Sequence, residues 1–197
     1  SKRALGIASG PDASSRTKEC VVLLRRAAAA GSGKAKCALG NWHVYGVGVR
    51  KSYRAAMELF REAAELGVRE AQFNLAVGLE SGRGVTRSLT EARLWYSRAA
   101  GQGDVDAMSA LARCLYWGIG GAVDKEGAAR WYRRAASKGD VEAQYSLALA
   151  SERGEGVRRN LRTALRWYAR AAAAGDQRAQ RAIASIRRAS SATPCGV

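Results

Sequence analysis

The sequence predicts an all-α solenoid of about ten helices, stacked as antiparallel pairs. Three observations predict it. A cassette of 36 residues is written four times, beginning near residues 34, 68, 104 and 140. Small and apolar residues hold fixed columns through the cassettes: Ala35, Ala71, Ala107, Ala143 and Ala179; Leu39, Leu75, Leu111, Leu147 and Ile183; Gly31, Gly67, Gly103, Gly139 and Gly175. Ala, Leu and Val supply much of the apolar content, and only two prolines interrupt 197 residues. A fixed period of this length marks an array in which each unit packs on its neighbours, and the composition favours helix.

The elements follow in order. Residues 1–15 read as a tail. Residues 16–30, RTKECVVLLRRAAAA, read as the second helix of a pair that lacks its first, within a half unit 16–33. Full units span 34–67, 68–103, 104–139 and 140–175. In the first, a helix from about Lys34 to Tyr45 leads to the loop GVGV, which recurs as GRGV, GIGG and GEGV. The loop glycines suit the positive φ that ends a helix. Ser52, Ser88, Asp124 and Asn160 stand three residues beyond the loops, as N-caps of the second helices. Asp104, Asp140 and Asp176 do the same for first helices. The second helices carry Leu59–Phe60, Trp95–Tyr96, Trp131–Tyr132 and Trp167–Tyr168, each followed by an Ala-Ala pair. Small residues let helices approach, and the aromatics fill the space between pairs as core. Residues 177–189 read as a first helix without its second, in a capping half unit 176–189, and 190–197 as a tail.

Charge is uneven. The net charge is +16. Residues 1–36 carry eight basic and two acidic side chains, residues 37–152 fifteen and thirteen, and residues 153–197 ten and two. The ends therefore read as contact surfaces for an acidic partner. Arg158, Arg159, Arg162, Arg166 and Arg170 recur at helical steps, and Arg178, Arg181, Arg187 and Arg188 follow. With only Asp176 among them, these nine form the expected basic contact surface. Arg suits phosphate through its bidentate fork.

Other signals argue against chemistry. GSGK at 31–34 lacks the upstream glycine and the following Ser or Thr of a phosphate loop, and it follows a helix. The recurrent G-x-G pairs are loop punctuation. His43, the sole histidine, occupies a packing position, so no Ser-His or Cys-His arrangement is expected. Cys20, Cys37, Cys114 and Cys195 form no C-x-x-C pair and do not keep the period. Free thiols in a reducing compartment are expected, without a metal. No apolar run reaches 18 residues, so no membrane span is expected. The Ser- and Arg-rich start resembles what is left after a transit peptide is cut, or a plain tail.

The repeated residues resemble the Sel1-like repeat family, a relative of the tetratricopeptide repeats. Ala71, Leu75, Gly82, Gly84, Val85, Ala92, Trp95, Tyr96, Ala99, Ala100 and Gly103 match its pattern, as do their equivalents in the other units. The resemblance covers about 34–189. It implies a right-handed α/α superhelical solenoid that assembles complexes without catalysis or a cofactor. It also implies a concave groove lined by first helices, with Cys37, Asn41 and Val44, then Phe73, Val77 and Glu80, then Ser109, Arg113 and Tyr116, then Tyr145, Leu149 and Glu152. That groove is expected to be apolar with acids, among them Glu70 and Glu142, while the basic residues gather elsewhere.

Together these readings give a non-catalytic scaffold subunit of a large assembly. The expected setting is an organellar ribonucleoprotein, such as a mitochondrial ribosome in the matrix. Its partners would be other protein subunits, with RNA at the basic ends. The alternative is a free-standing adaptor that holds a client peptide in the groove without nucleic acid, and for which a cytoplasmic location serves equally.

Overall fold

A computed structural model describes residues 11–191. Ten helices occur among them: α1 (Pro11–Ala29), α2 (Gly33–Tyr45), α3 (Tyr53–Glu65), α4 (Arg69–Ser81), α5 (Leu89–Gly101), α6 (Val105–Trp117), α7 (Lys125–Ser137), α8 (Val141–Arg153), α9 (Leu161–Ala173) and α10 (Gln177–Ser191). No strand occurs among the described residues. Two boundaries differ from expectation. The first helix begins at Pro11, not residue 16, so residues 11–15 are helical; proline is pre-set for a helix start because its φ is already helical. The last helix runs through Ser191. Cys195 and the remaining ends lie outside the described residues.

The chain divides into two compact units, residues 1–99 and 100–197. In the first, α1 packs on α2, α2 on α3 and α3 on α4. Phe60, Ala63, Ala64, Ala71, Leu75 and Tyr96 are fully or nearly fully buried there. In the second, α6 packs on α7, α7 on α8, α8 on α9 and α9 on α10. Ala148, Ala164, Tyr168, Ala171 and Ala179 form one core cluster, with Tyr145, Trp167, Ile183 and Ile186 against it. Alanine at each crossing costs no side-chain entropy and lets the helix axes close up.

The polar chemistry at the helix ends sets the register of the stack. All seven expected caps accept from the backbone N–H three residues on, at 2.6–3.3 Å. Ser32, not foreseen, caps α2 by accepting from Ala35 at 3.3 Å. Buried Gln72 and Gln144 each donate to a carbonyl at the end of the preceding helix, Ala64 and Ala136. Each bond adds a second donor to a last-turn carbonyl, which also accepts from the Gly67 or Gly139 N–H.

The two loop glycines do different work. Gly82 and Gly154 end α4 and α8 in the left-handed conformation. Gly84 and Gly156 also have positive φ, but they matter for contact. A Cβ on Gly84 would lie 2.4 Å from the Tyr53 carbonyl carbon, and one on Gly156 2.0 Å from the Lys125 carbonyl oxygen. The second loop glycine is therefore where one pair's loop rests on the start of the previous pair's second helix.

Candidate functional site

Among the described residues, each unit contains a groove between the first helices of two successive pairs. In the first unit Asn41, Val44 and Tyr45 of α2 face Asn74, Val77 and Ser81 of α4, above Phe60. In the second, Arg113, Tyr116 and Trp117 of α6 face Ser146, Leu149 and Arg153 of α8, above Tyr132. Every residue of the second set stands 72 positions after its counterpart in the first, two full periods. The repeat thus builds the same frame twice and fills it with different side chains. The open space is about 130 Å³ in the first groove and about 210 Å³ in the second. Both lie below the roughly 300–1,000 Å³ of a small-molecule or cofactor site; they fit side chains.

Of the residues expected in the groove, Asn41, Val44 and Val77 line the first, and Arg113, Tyr116, Tyr145 and Leu149 line the second. Phe73, also expected there, is half-buried in the first unit, its ring 5.9 Å from that of Tyr96. Cys37 is a correction. It is only 3% exposed, because its side chain falls on the core side of α2. Burial first, and then Glu70, pushes its thiol up to about 12, so it stays protonated and a poor nucleophile.

The acids expected in the groove have internal donors. Tyr96 donates to Glu80, and Tyr168 to Glu152, both at 2.7 Å. Glu70 accepts from Asn41 at 2.9 Å. Arg178 Nη2 donates to Glu142 at 2.6 Å. Glu155 accepts from the Tyr116 hydroxyl and from Lys125, and these donors hold its carboxyl below the usual range. These acids thus have internal donors, and Glu142 lines the second groove together with Arg113 and Arg153.

The column of residues just before the first loop glycine, Tyr45, Ser81, Trp117 and Arg153, was not foreseen. Each groove takes two of its members. Trp117 is 68% exposed and meets Tyr116 edge-on at 4.8 Å; Tyr45 is 63% exposed. The available signal was variation: this column changes character in every unit while its glycine neighbour never does.

The nine arginines expected to form a basic contact surface lie on α9, its leading loop and α10, and all are exposed. They are not equivalent. Arg178 is bound by Asp176 and Glu142 and lies 4.4 Å over the Tyr145 ring. Arg170 stacks on Trp167 at 4.6 Å, and Arg159 donates to the Glu152 carbonyl. The tryptophans expected as core divide likewise. Trp95 is buried, but Trp131 and Trp167 are half-buried, each covered by an arginine three residues on. The adjoining tyrosines take the core positions.

No group of three or more His, Cys, Asp or Glu side chains among the described residues is placed to hold a metal ion. His43 is half-buried, and its Nδ1 lies 3.1 Å from the Arg50 carbonyl, an acceptor, so Nδ1 carries the proton. No described helix is long and apolar enough to cross a membrane.

The geometry agrees with comparisons to known proteins. A protective antigen of uropathogenic Escherichia coli with an SLR fold is 31% identical, with a TM-score of 0.83 over 89% of this chain and 38% of that one. A Sel1 repeat protein from Oxalobacter formigenes is 34% identical, with a TM-score of 0.75 over 80% of this chain and 65% of that one. This chain therefore spans less than two thirds of either. A Sel1 repeat protein of Klebsiella pneumoniae, 23% identical with a TM-score of 0.52, shares the fold. No curated protein is similar enough to match. The Sel1 repeat family profile matches four times, at residues 33–68, 69–104, 105–140 and 141–176, and the chain belongs to the Sel1 repeat family.

Proposed function

We propose that this chain is a non-catalytic scaffold that holds a segment of a partner protein in its grooves. Sel1 repeat proteins are generally interaction scaffolds. One observation carries the reading here: the same frame opens twice, 72 residues apart, with Tyr45, Val77 and Trp117 exposed at its rims. Aromatic and apolar side chains in a concave setting are what anchor a partner segment. The test is selection of peptides from a display library on the full chain. Binding of the selected peptides should be lost in Val77→Asp or Leu149→Asp. Peptides that bind both variants as well as the natural chain would refute the groove reading.

A second reading adds nucleic acid. It rests on Arg158, Arg162, Arg166, Arg181 and Arg187, all exposed. In this reading the chain is a subunit of an organellar ribonucleoprotein, such as a mitochondrial ribosome, and the arginines meet RNA phosphates or acidic neighbours. Each phosphate contact releases counterions, so log Kd should vary with log salt by about 0.7–0.9 per contact. Replacing Arg158, Arg159, Arg162 and Arg166 with Ala should reduce that slope by about three or four. A natural chain with no RNA affinity at low salt would remove this reading and leave the first intact.

A further inference from the structure

Helix α1 stands where a second helix stands in the complete pairs, but among the described residues no first helix lies beside it. The loop after α2 rests on it at Gly48, beside Thr17 and Val21, as the loop at Gly84 rests on Tyr53 of α3. Val21 and Ala28 are buried. The face that would meet a first helix is open. In α3 that face is Ala56, Phe60 and Ala63, all buried, and a Cβ on Gly40 of α2 would lie 2.7 Å from the Phe60 ring. The equivalents 36, 72 and 108 residues on are buried as well. On α1 the same three places hold Cys20, which is exposed, and Leu24 and Ala27, which are half-buried. Leu23 beside them is 62% exposed, whereas its equivalent Trp95 is 5% exposed.

Helix α10 has the converse lack, a first helix without its second, and it is finished differently. Arg181 stands where Phe73 and Tyr145 meet the rings of Tyr96 and Tyr168. Arg187 stands where Leu79 and Leu115 are buried. A polar outer face of this kind closes a repeat array. Helix α1 keeps apolar residues at its open places instead. The repeat's own connection does not cover them either. Second helices begin at Tyr53, Leu89, Lys125 and Leu161, all equivalent to residue 17, but α1 begins at Pro11. The stretch that turns the chain back in the complete pairs is helix here.

We propose that the open face of α1 seats an amphipathic helix of a partner protein, in the place of the absent first helix. The complete pairs show what covers this face. Each first helix presents a leucine followed by a small residue, Leu39–Gly40, Leu75–Ala76, Leu111–Ala112 or Leu147–Ala148. The small residue lets the helices close, as apolar helix faces do when they enter a groove. The occupant therefore carries Leu beside Gly or Ala on one apolar stripe. A second copy of this chain fits less well, because its α10 would bring Arg181 and Arg187 against Cys20, Leu24 and Ala27, near Arg26. No residue of α1 lines either groove, so this site is independent of them.

The experiment selects binders on the full chain from a display library of amphipathic helical peptides. Peptides that bind Leu149→Asp and Val77→Asp as well as the natural chain are kept, which sets groove binders aside. Their sequences should share Leu beside Gly or Ala on the apolar stripe. Leu23→Ala removes most of a side chain that binding buries, and should weaken them at least about tenfold. Cys20→Arg should weaken them further. Both residues are exposed in the chain alone, so the unfolding midpoint should hold. Val22→Ala is the control. Val22 is 55% exposed, and its equivalents are exposed in every complete pair, so it lies off the open face. That variant should bind as the natural chain does. Equal losses in Leu23→Ala and Val22→Ala, peptides indifferent to Leu23→Ala, or no peptide kept would each overturn the proposal. Sedimentation of the chain alone tests the other occupant: self-association with rising concentration that Leu23→Ala removes would give the face to a second copy and overturn the partner helix.

Discussion

Gly156→Ala tests the packing logic of the repeat. Gly156 has φ +67, and a Cβ there would lie 2.0 Å from the Lys125 carbonyl oxygen and 2.3 Å from its carbon. Both atoms are backbone in the first turn of α7, so no side-chain rotation relieves the clash. Gly175 is the control. Its φ is +95, yet a Cβ there would meet nothing within 4 Å. Both substitutions impose backbone strain of about 1–3 kcal/mol. Only Gly156→Ala adds overpacking, worth about 1–3 kcal/mol. The difference between the variants therefore isolates the contact. Urea unfolding followed by circular dichroism reads it. With a slope of about 2 kcal/mol/M, the Gly156→Ala midpoint should fall roughly 0.5–1.5 M below that of Gly175→Ala. Equal midpoints, or a lower one for Gly175→Ala, would refute the claim that the second loop glycine exists for close approach.

Two further predictions concern the core and the helix cap. Tyr168→Ala, at a fully buried ring, should cost about 3–5 kcal/mol, while half-buried Trp131→Ala should cost about half as much; the reverse order would show that the tryptophans carry the core. Asp176 caps α10, and its carboxyl is held below the usual 3.8 chiefly by its hydrogen bond from Arg178. A depressed folded value stabilises the fold above 3.8 and loses that contribution as pH falls through the lower value. The stability advantage of the natural chain over Asp176→Asn should be full at pH 6 and shrink below pH 4, measured by urea midpoints. An advantage independent of pH would contradict the assigned partner.

The helix pairs and their caps were legible because periodicity, glycine and capping residues act locally. Seven caps fell where side-chain chemistry alone put them. The groove was less legible. Its frame follows from the period, but its charge does not, because charge depends on which acids find internal donors. Glu80 and Glu152 look like groove acids until Tyr96 and Tyr168, sixteen residues on, are seen to donate to them. Cys37 likewise shares a helix with groove residues yet points into the core. Trp131 and Trp167 keep the period of the core, but the adjoining tyrosines fill it, and arginines three residues on cover the tryptophan faces. Within one pair the order of two adjacent aromatics is set by helix rotation, which a 36-residue period does not specify.

Groove binding of a partner segment is open to direct measurement. The most direct measurement places a photo-crosslinking residue at Leu149, at Val77, and at Arg133 outside the grooves. Each variant is irradiated with a display-selected peptide, and the product is mapped by mass spectrometry. Groove binding predicts peptide crosslinked at 149 or 77 and none at 133. Crosslinking at 133 alone, or on the arginine face of α9 and α10 with both groove positions silent, would contradict it.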